Sequence, residues 1–309
     1  VEIDFQGQAG IITGAGRGMG RAFALDLARR GAAVVVNGRP PSEGGGGEVE
    51  AVAEEIDRAG GRALLVYQSV NGPDGADALV DAALEHLGSV DFVINNAGIL
   101  RNDAFESLSP QDFGAVLDVH LAGSFFLGQR AFRSMMAKGY GRIVNVSSTT
   151  ALVGMPGLAN YAAAKGGILA LTRAMAAEGA SHGILVNALV PSALGKMQAQ
   201  SPIPGFADRF GAMRETLRPR MAPETVAPLT TYLASRACER SGEIWTACAG
   251  RFARIATCFA QGWVAPDANA VSAEDIAANI AQIAAVDGGF EPTTLDDIYR
   301  DIIQRLPRS

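Results

Sequence analysis

Short apolar runs recur along the first 250 positions, and amphipathic stretches separate them. Gly10-Ile-Ile-Thr is a short apolar strand that leads into a glycine-rich turn and an amphipathic helix. Gly31 through Val34-Val-Val-Asn-Gly-Arg starts the next unit, and Arg62-Ala-Leu-Leu-Val-Tyr and Val90-Asp-Phe-Val-Ile-Asn are strand-like, with an alanine-rich helix over 75–87 between them. Gly141-Arg-Ile-Val-Asn-Val-Ser-Ser reads as a buried strand running into a loop. Strands that alternate with helices predict an α/β domain with a predominantly parallel sheet covered on both faces.

The pattern changes after Glu243-Ile-Trp-Thr-Ala. Gly250-Arg-Phe-Ala-Arg-Ile-Ala leads into a link containing Pro and Ala, then helical patterns at 272–285 and 294–306. Ser272, ahead of Glu274-Asp275, suits a helix cap. Val286-Asp-Gly-Gly-Phe reads as a helix-ending turn. The expected division is a domain over 1–250 and an extension over 251–309, too short for a core of its own and therefore packed on the main domain or on a neighbouring subunit.

Composition narrows the class. A chain of 309 residues, 48% hydrophobic, can bury one large core. A net charge of −6 argues against a nucleic-acid surface. Cys238, Cys248 and Cys258 form no CxxC pair and there are only 3 histidines, so neither a zinc site nor a disulfide framework is expected. With no basic-then-apolar start and no apolar run of membrane-spanning length, the expected setting is the cytoplasm, without a membrane partner.

Candidate chemistry begins at the first turn. Gly14, Gly18 and Gly20 have the spacing GxxxGxG, and glycines there let backbone N–H groups approach a pyrophosphate at a helix N-terminus. At the end of the second strand, an acid would bind the ribose of NAD and an arginine would accommodate the 2′-phosphate of NADP; here Gly38 is followed by Arg39, which favours NADP. Pro40 through Glu48 reads as a surface loop near the adenosine end, and Asn95-Asn-Ala-Gly closes another strand, where ligands bind in open parallel sheets. Tyr161 and Lys165, four apart, share one helix face. An ammonium beside a phenol lowers its pKa towards neutrality, where it works as a general acid or base. Ser148 offers a hydroxyl to the same substrate oxygen.

Together these motifs resemble the short-chain dehydrogenase/reductase family over roughly residues 5–250. The resemblance implies that Thr13-Gly14-Ala15-Gly16-Arg17-Gly18-Met19-Gly20 is the cofactor loop, that Ser69-Val70 contacts adenine, and that Asn96, Ala97 and Gly98 line the sheet-centre contact. It implies catalytic roles for Ser148, Tyr161 and Lys165, and a nicotinamide-amide contact in the segment of Pro191, Ser192 and Leu194. Lys196 stands where the family usually has a threonine. His120 occupies the position of an asparagine that supports a water relay to the lysine; its two ring nitrogens can donate and accept. His120-Leu-Ala-Gly-Ser-Phe also resembles the dehydrogenase part of peroxisomal multifunctional enzymes, which act on (3R)-hydroxyacyl-CoA and, in some members, hydroxysteroids.

The expectation is a doubly wound Rossmann-type parallel sheet with a helical C-terminal extension, and an NAD(P)-dependent interconversion of a secondary alcohol and a ketone. The implied partner is a small-molecule substrate, and the implied assembly a homodimer or homotetramer through the long helices carrying His120 and Tyr161. A general carbonyl or polyketide ketoreductase and a non-catalytic cofactor-sensing regulator are the alternatives.

Overall fold

The computed structural model describes residues 2–44, 46–194 and 215–306. Lys196 lies outside them. Eight strands form one sheet in the order β3-β2-β1-β4-β5-β6-β7-β8. They are β1 (Ala9–Ile12), β2 (Ala33–Gly38), β3 (Arg62–Tyr67), β4 (Phe92–Asn95), β5 (Gly141–Val146), β6 (Ile184–Ser192), β7 (Ile244–Cys248) and β8 (Arg251–Ile255). All pairings from β3 across to β7 are parallel.

The crossovers are helical. They are α1 (Gly18–Arg29), α2 (Glu48–Arg58), α3 (Pro73–Leu87), α4 (Pro110–Leu117), α5 (Gly123–Lys138), the short α6 (Thr150–Val153), α7 (Ala159–Gly179) and α8 (Ala227–Ala234). A π-helical turn, Asp118–Ala122, joins α4 to α5. Successive strand side chains point to opposite faces, so each strand supplies two cores. Ile12, Val34, Val36 and Ile94 pack with Phe23 and Leu27 of α1 on one side. Ile11, Val35 and Val93 pack with Leu79 of α3 and Leu127 and Met135 of α5 on the other. Burial on both faces explains why these strands are runs of Val and Ile instead of alternating apolar and polar residues.

Chain order reverses between β1 and β4, so their carboxyl ends open the crevice in which doubly wound sheets bind ligands. Gly14 and Asn96 both sit there, just beyond the two strand ends.

The last strand was not expected. Arg251-Phe-Ala-Arg-Ile, assigned above to a helical extension, is β8, the edge of the sheet. Only Ala249 and Gly250 separate it from β7, and both have positive φ, 51° and 86°. That pair of angles is the signature of a two-residue hairpin turn, and so short a link requires β8 to run antiparallel to β7.

The chain divides into two compact units, Val1–Arg254 and Ile255–Ser309. In the second, Phe259 and Phe290 form an antiparallel bridge with N–H···O distances of 2.8 and 3.0 Å. Helix α9 (Ala273–Ala284) begins at Ser272, whose hydroxyl accepts from Asp275 N at 3.1 Å while the Asp275 carboxylate accepts from Ser272 N, a reciprocal capping box. Thr294 and Asp297 cap helix α10 (Leu295–Arg305) in the same way. Between the helices, Gly289 N donates to Val286 O at 2.9 Å, so Val286-Asp-Gly-Gly-Phe is a turn.

Candidate active site

The glycine loop follows β1. Gly14 and Gly18 have φ of +63° and +54°, the left-handed region that side chains disfavour. At Gly20 a Cβ would lie 2.1 Å from Gly14 O, so this glycine lets α1 start directly against the turn. The N-cap of α1, Arg17, makes no side-chain capping bond, and among the described residues nothing lies within 4 Å of where a Cβ on Gly18 would be. Free N–H groups facing open space at a helix N-terminus fit a pyrophosphate.

Asn96 secures this loop. Its Nδ2 donates to Thr13 O and Gly14 O at 3.0 and 3.2 Å, while Thr13 Oγ1 accepts from the N–H groups of Asn96 and Ala97, both at 3.0 Å. The Asn96 side-chain amide therefore holds the loop against the end of β4.

At the adenosine end, a Cβ on Gly38 would lie 2.6 Å from Val49 Cγ1. The first turn of α2 thus fills the space an acidic side chain at position 38 needs. Arg39 is exposed and donates to Glu43 O at 3.0 Å, and the Glu43 carboxylate accepts from the Ser69 hydroxyl. Arg17 pairs with Glu48 at 3.7 Å. Met19 packs against the core beside α1, and Val70 packs against the opposite one. Pro191 and Ser192 end β6, paired with Ala247 and Cys248, and Leu194 N donates to Met221 O at 2.8 Å.

The catalytic candidates converge beyond β5. Ser148 lies beside the Tyr161 hydroxyl, and its own hydroxyl accepts from Thr150 N at 3.2 Å. Lys165 is buried; its Nζ donates to Val146 O at 2.5 Å and lies 5.7 Å from the Tyr161 ring centre. His120 stands edge-on to the same ring at 5.2 Å and 87°. Three residues from three separate segments therefore surround one phenol.

The π-turn carries His120 inward, where it is 2% exposed. Its Nε2 lies 3.1 Å from Ile99 N and 2.8 Å from Ile99 O, accepting from the former or donating to the latter according to tautomer. Nδ1 is buried and has no hydrogen-bond partner among the described residues. A Cβ on Gly98 would lie 2.2 Å from the ring, so Gly98 is what admits the imidazole.

Electrostatics correct one expectation. Helix spacing suggests that Lys165 draws the Tyr161 pKa down. Burial instead raises it, with the neighbouring Ser148 hydroxyl opposing, and burial lowers Lys165 itself to about 7. Removing both groups from water penalises both charged forms, an effect that spacing along a helix does not reveal. Burial, then the charge of Lys165, lowers His120 to about 3, against the backbone hydrogen bond at Ile99, so the imidazole is neutral at physiological pH.

A glycine loop at the switch point of a doubly wound sheet, with Ser, Tyr and Lys clustered beyond β5, defines a dinucleotide-dependent oxidoreductase. The short chain dehydrogenase family model matches residues 8–202, and the chain belongs to that family, in which NAD(P) dependence is typical. The chain is 37% identical over 257 residues to the peroxisomal hydratase-dehydrogenase-epimerase of Saccharomyces cerevisiae, covering 82% of itself and 27% of that protein. A short-chain type dehydrogenase/reductase of Mycobacterium tuberculosis is 37% identical, with 90% of this chain and 94% of the relative covered. The solved full-length peroxisomal multifunctional enzyme type 2 of Drosophila melanogaster superposes with a TM-score of 0.80 at 29% identity, covering 98% of this chain and 50% of that one. The chain thus spans about a quarter of the yeast relative and half of the Drosophila structure.

Sequence reasoning did not single out Asn160 or Thr13 as organisers of the site. Asn160 directly precedes Tyr161, a signal available in the sequence, but its bonding partners are far away along the chain.

Proposed function

We propose that the protein interconverts a secondary alcohol and a ketone on a 3-hydroxyacyl-CoA or a hydroxysteroid. The observation that carries this reading is the phenol of Tyr161, with Ser148 beside it and Lys165 and His120 flanking its ring. The dehydrogenase in the name of the yeast relative supports the reaction type, and the resemblance of the His120 motif to the dehydrogenase part of peroxisomal multifunctional enzymes supports the substrate class. The glycine loop and the Asn96–Gly98 backbone would hold the dinucleotide, with Lys165 at the nicotinamide ribose. When bound, that group supplies or accepts the hydride.

In the reductive direction Tyr161 donates its proton to the carbonyl oxygen, and the Ser148 hydroxyl hydrogen-bonds the oxygen as negative charge builds there. A phenol held protonated by burial is ready to donate. Lys165, brought to about 7, holds or releases a proton near neutral pH. Neutral His120 returns the proton by accepting at one ring nitrogen and releasing from the other.

For the cofactor, exposed Arg39 beside a position 38 closed to an acid supports NADP. This also favours a second reading, a general NADPH-dependent ketoreductase. Assembly as a homodimer or homotetramer is in keeping with partly exposed Phe113, Phe125 and Met136 on α4 and α5. An absorbance assay of reduced nicotinamide, run with NAD and NADP against 3-hydroxyacyl-CoA, hydroxysteroids and simple ketones, tests these points together. Turnover of the first two classes is expected; activity confined to simple ketones would favour the second reading, and none on any panel would overturn both.

A further inference from the structure

We propose that Asn160 is a positioning residue for proton transfer, fixing the phenol of Tyr161 by tying its helix to the loop that follows β4. The proposal rests on Tyr161 being the proton donor.

Asn160 is completely buried. Its Nδ2 donates to Arg101 O at 2.8 Å and to Asp112 O at 3.3 Å, and its Oδ1 accepts from Tyr161 N at 2.8 Å. It stands in the first turn of α7, where backbone N–H groups lack helical partners, and the N-cap, Leu158, supplies no side-chain bond. One side chain therefore caps the catalytic helix and joins it to two other segments. The three bonds use both amide hydrogens and the carbonyl oxygen.

The attachment at Arg101 is what links Asn160 to the chemistry. Two residues earlier, Ile99 holds His120 Nε2, and the His120 ring lies edge-on to Tyr161. Tyr161, Asn160, Arg101, Ile99 and His120 thus form a closed circuit around the reacting phenol. Asp112 brings α4 onto the same anchor. Cutting the circuit at Asn160 frees the first turn of α7 from the loop on which His120 rests, while the cofactor loop, secured separately by Asn96 and Thr13, is untouched. Displacements of about 1 Å in a reacting group can slow a reaction about a hundredfold.

The test compares wild type with Asn160→Ala and the milder Asn160→Ser. Readouts are kcat, KM, the solvent isotope effect on kcat, reduced-dinucleotide binding by fluorescence, and thermal unfolding. The expected result is a kcat about ten- to a hundredfold lower, dinucleotide affinity within about twofold, and a larger isotope effect as proton transfer becomes limiting. Asn160→Ser should fall between Ala and wild type. Folded variants with wild-type kcat and isotope effect would overturn the proposal. So would equal losses in dinucleotide affinity and kcat, which indicate general loosening. If Asn160→Ala does not fold, the same criteria apply to Asn160→Ser. If Tyr161→Phe retains wild-type turnover, the assignment of Tyr161 fails, a result distinct from either outcome at Asn160.

Discussion

The two ends of the dinucleotide crevice treat charge in opposite ways. Around Arg17 and Arg39 the charged groups are exposed: Arg17 and Glu48 are each about half exposed and 3.7 Å apart. Around Tyr161 the titratable groups are buried, with His120 and Lys165 at 2% and 3% exposure. An exposed ion pair contributes about 0–1 kcal/mol, so substitutions at the first end should redistribute preference between ligands at little cost to the fold. Burial at the second end changes which protonation state exists near neutrality, and substitutions there should change the chemistry or its pH dependence.

The strongest way to break the comparison is Tyr161→Phe. Loss of the hydroxyl should lower kcat about a thousandfold or more, with dinucleotide affinity within about twofold, as read by steady-state kinetics and fluorescence titration. Near wild-type turnover would remove the buried end from the mechanism.

His120 gives an effect of intermediate size, seen in stability. In the folded chain it titrates at about 3 and in the unfolded chain near 6.5. Between those values the unfolded state binds the additional proton. Stability contributed by the neutral ring is therefore complete above about pH 6.5 and declines on acidification, by at most about 1.4 kcal/mol per pH unit. His120→Asn removes this component. The difference in unfolding free energy between wild type and variant, measured by denaturant titration from pH 7 to pH 4.5, should shift steadily against wild type; a constant difference would show that the ring is not held neutral.

Arg39→Ala should produce the smallest effect. NADP affinity is expected to fall about three- to tenfold, in the range of one solvent-exposed charge-assisted contact, with NAD affinity and melting temperature unchanged. Equal changes for both dinucleotides, seen by calorimetry, would detach Arg39 from the 2′-phosphate.

The parts of this molecule legible in the sequence are those encoded locally. The strands β1 to β5 show in their apolar runs, the loop at Gly14–Gly20 in its spacing, and the shared face of Tyr161 and Lys165 in their four-residue step. Edge strand β8 was missed because Arg251-Phe-Ala-Arg-Ile is polar for a strand, and its hairpin depends on Ala249 adopting a positive φ that alanine does not announce. Desolvation was missed because burial is set by segments far apart: Lys165 donates to Val146, nineteen residues away. The role of Asn160 was hidden in the same way, with its partners 59 and 48 residues earlier. Local pattern gave the direction of the Tyr–Lys pair, while tertiary packing decided the sign of the pKa change.

Gly98 and His120 have a consequence for how this sequence can drift. Since a methyl group on Gly98 would enter the imidazole, Gly98→Ala is barred for as long as the histidine remains, whereas a smaller residue at 120 would first open the space. The two positions can therefore be exchanged in only one order. The glycine, with no side chain of its own, thereby keeps the imidazole where it stands.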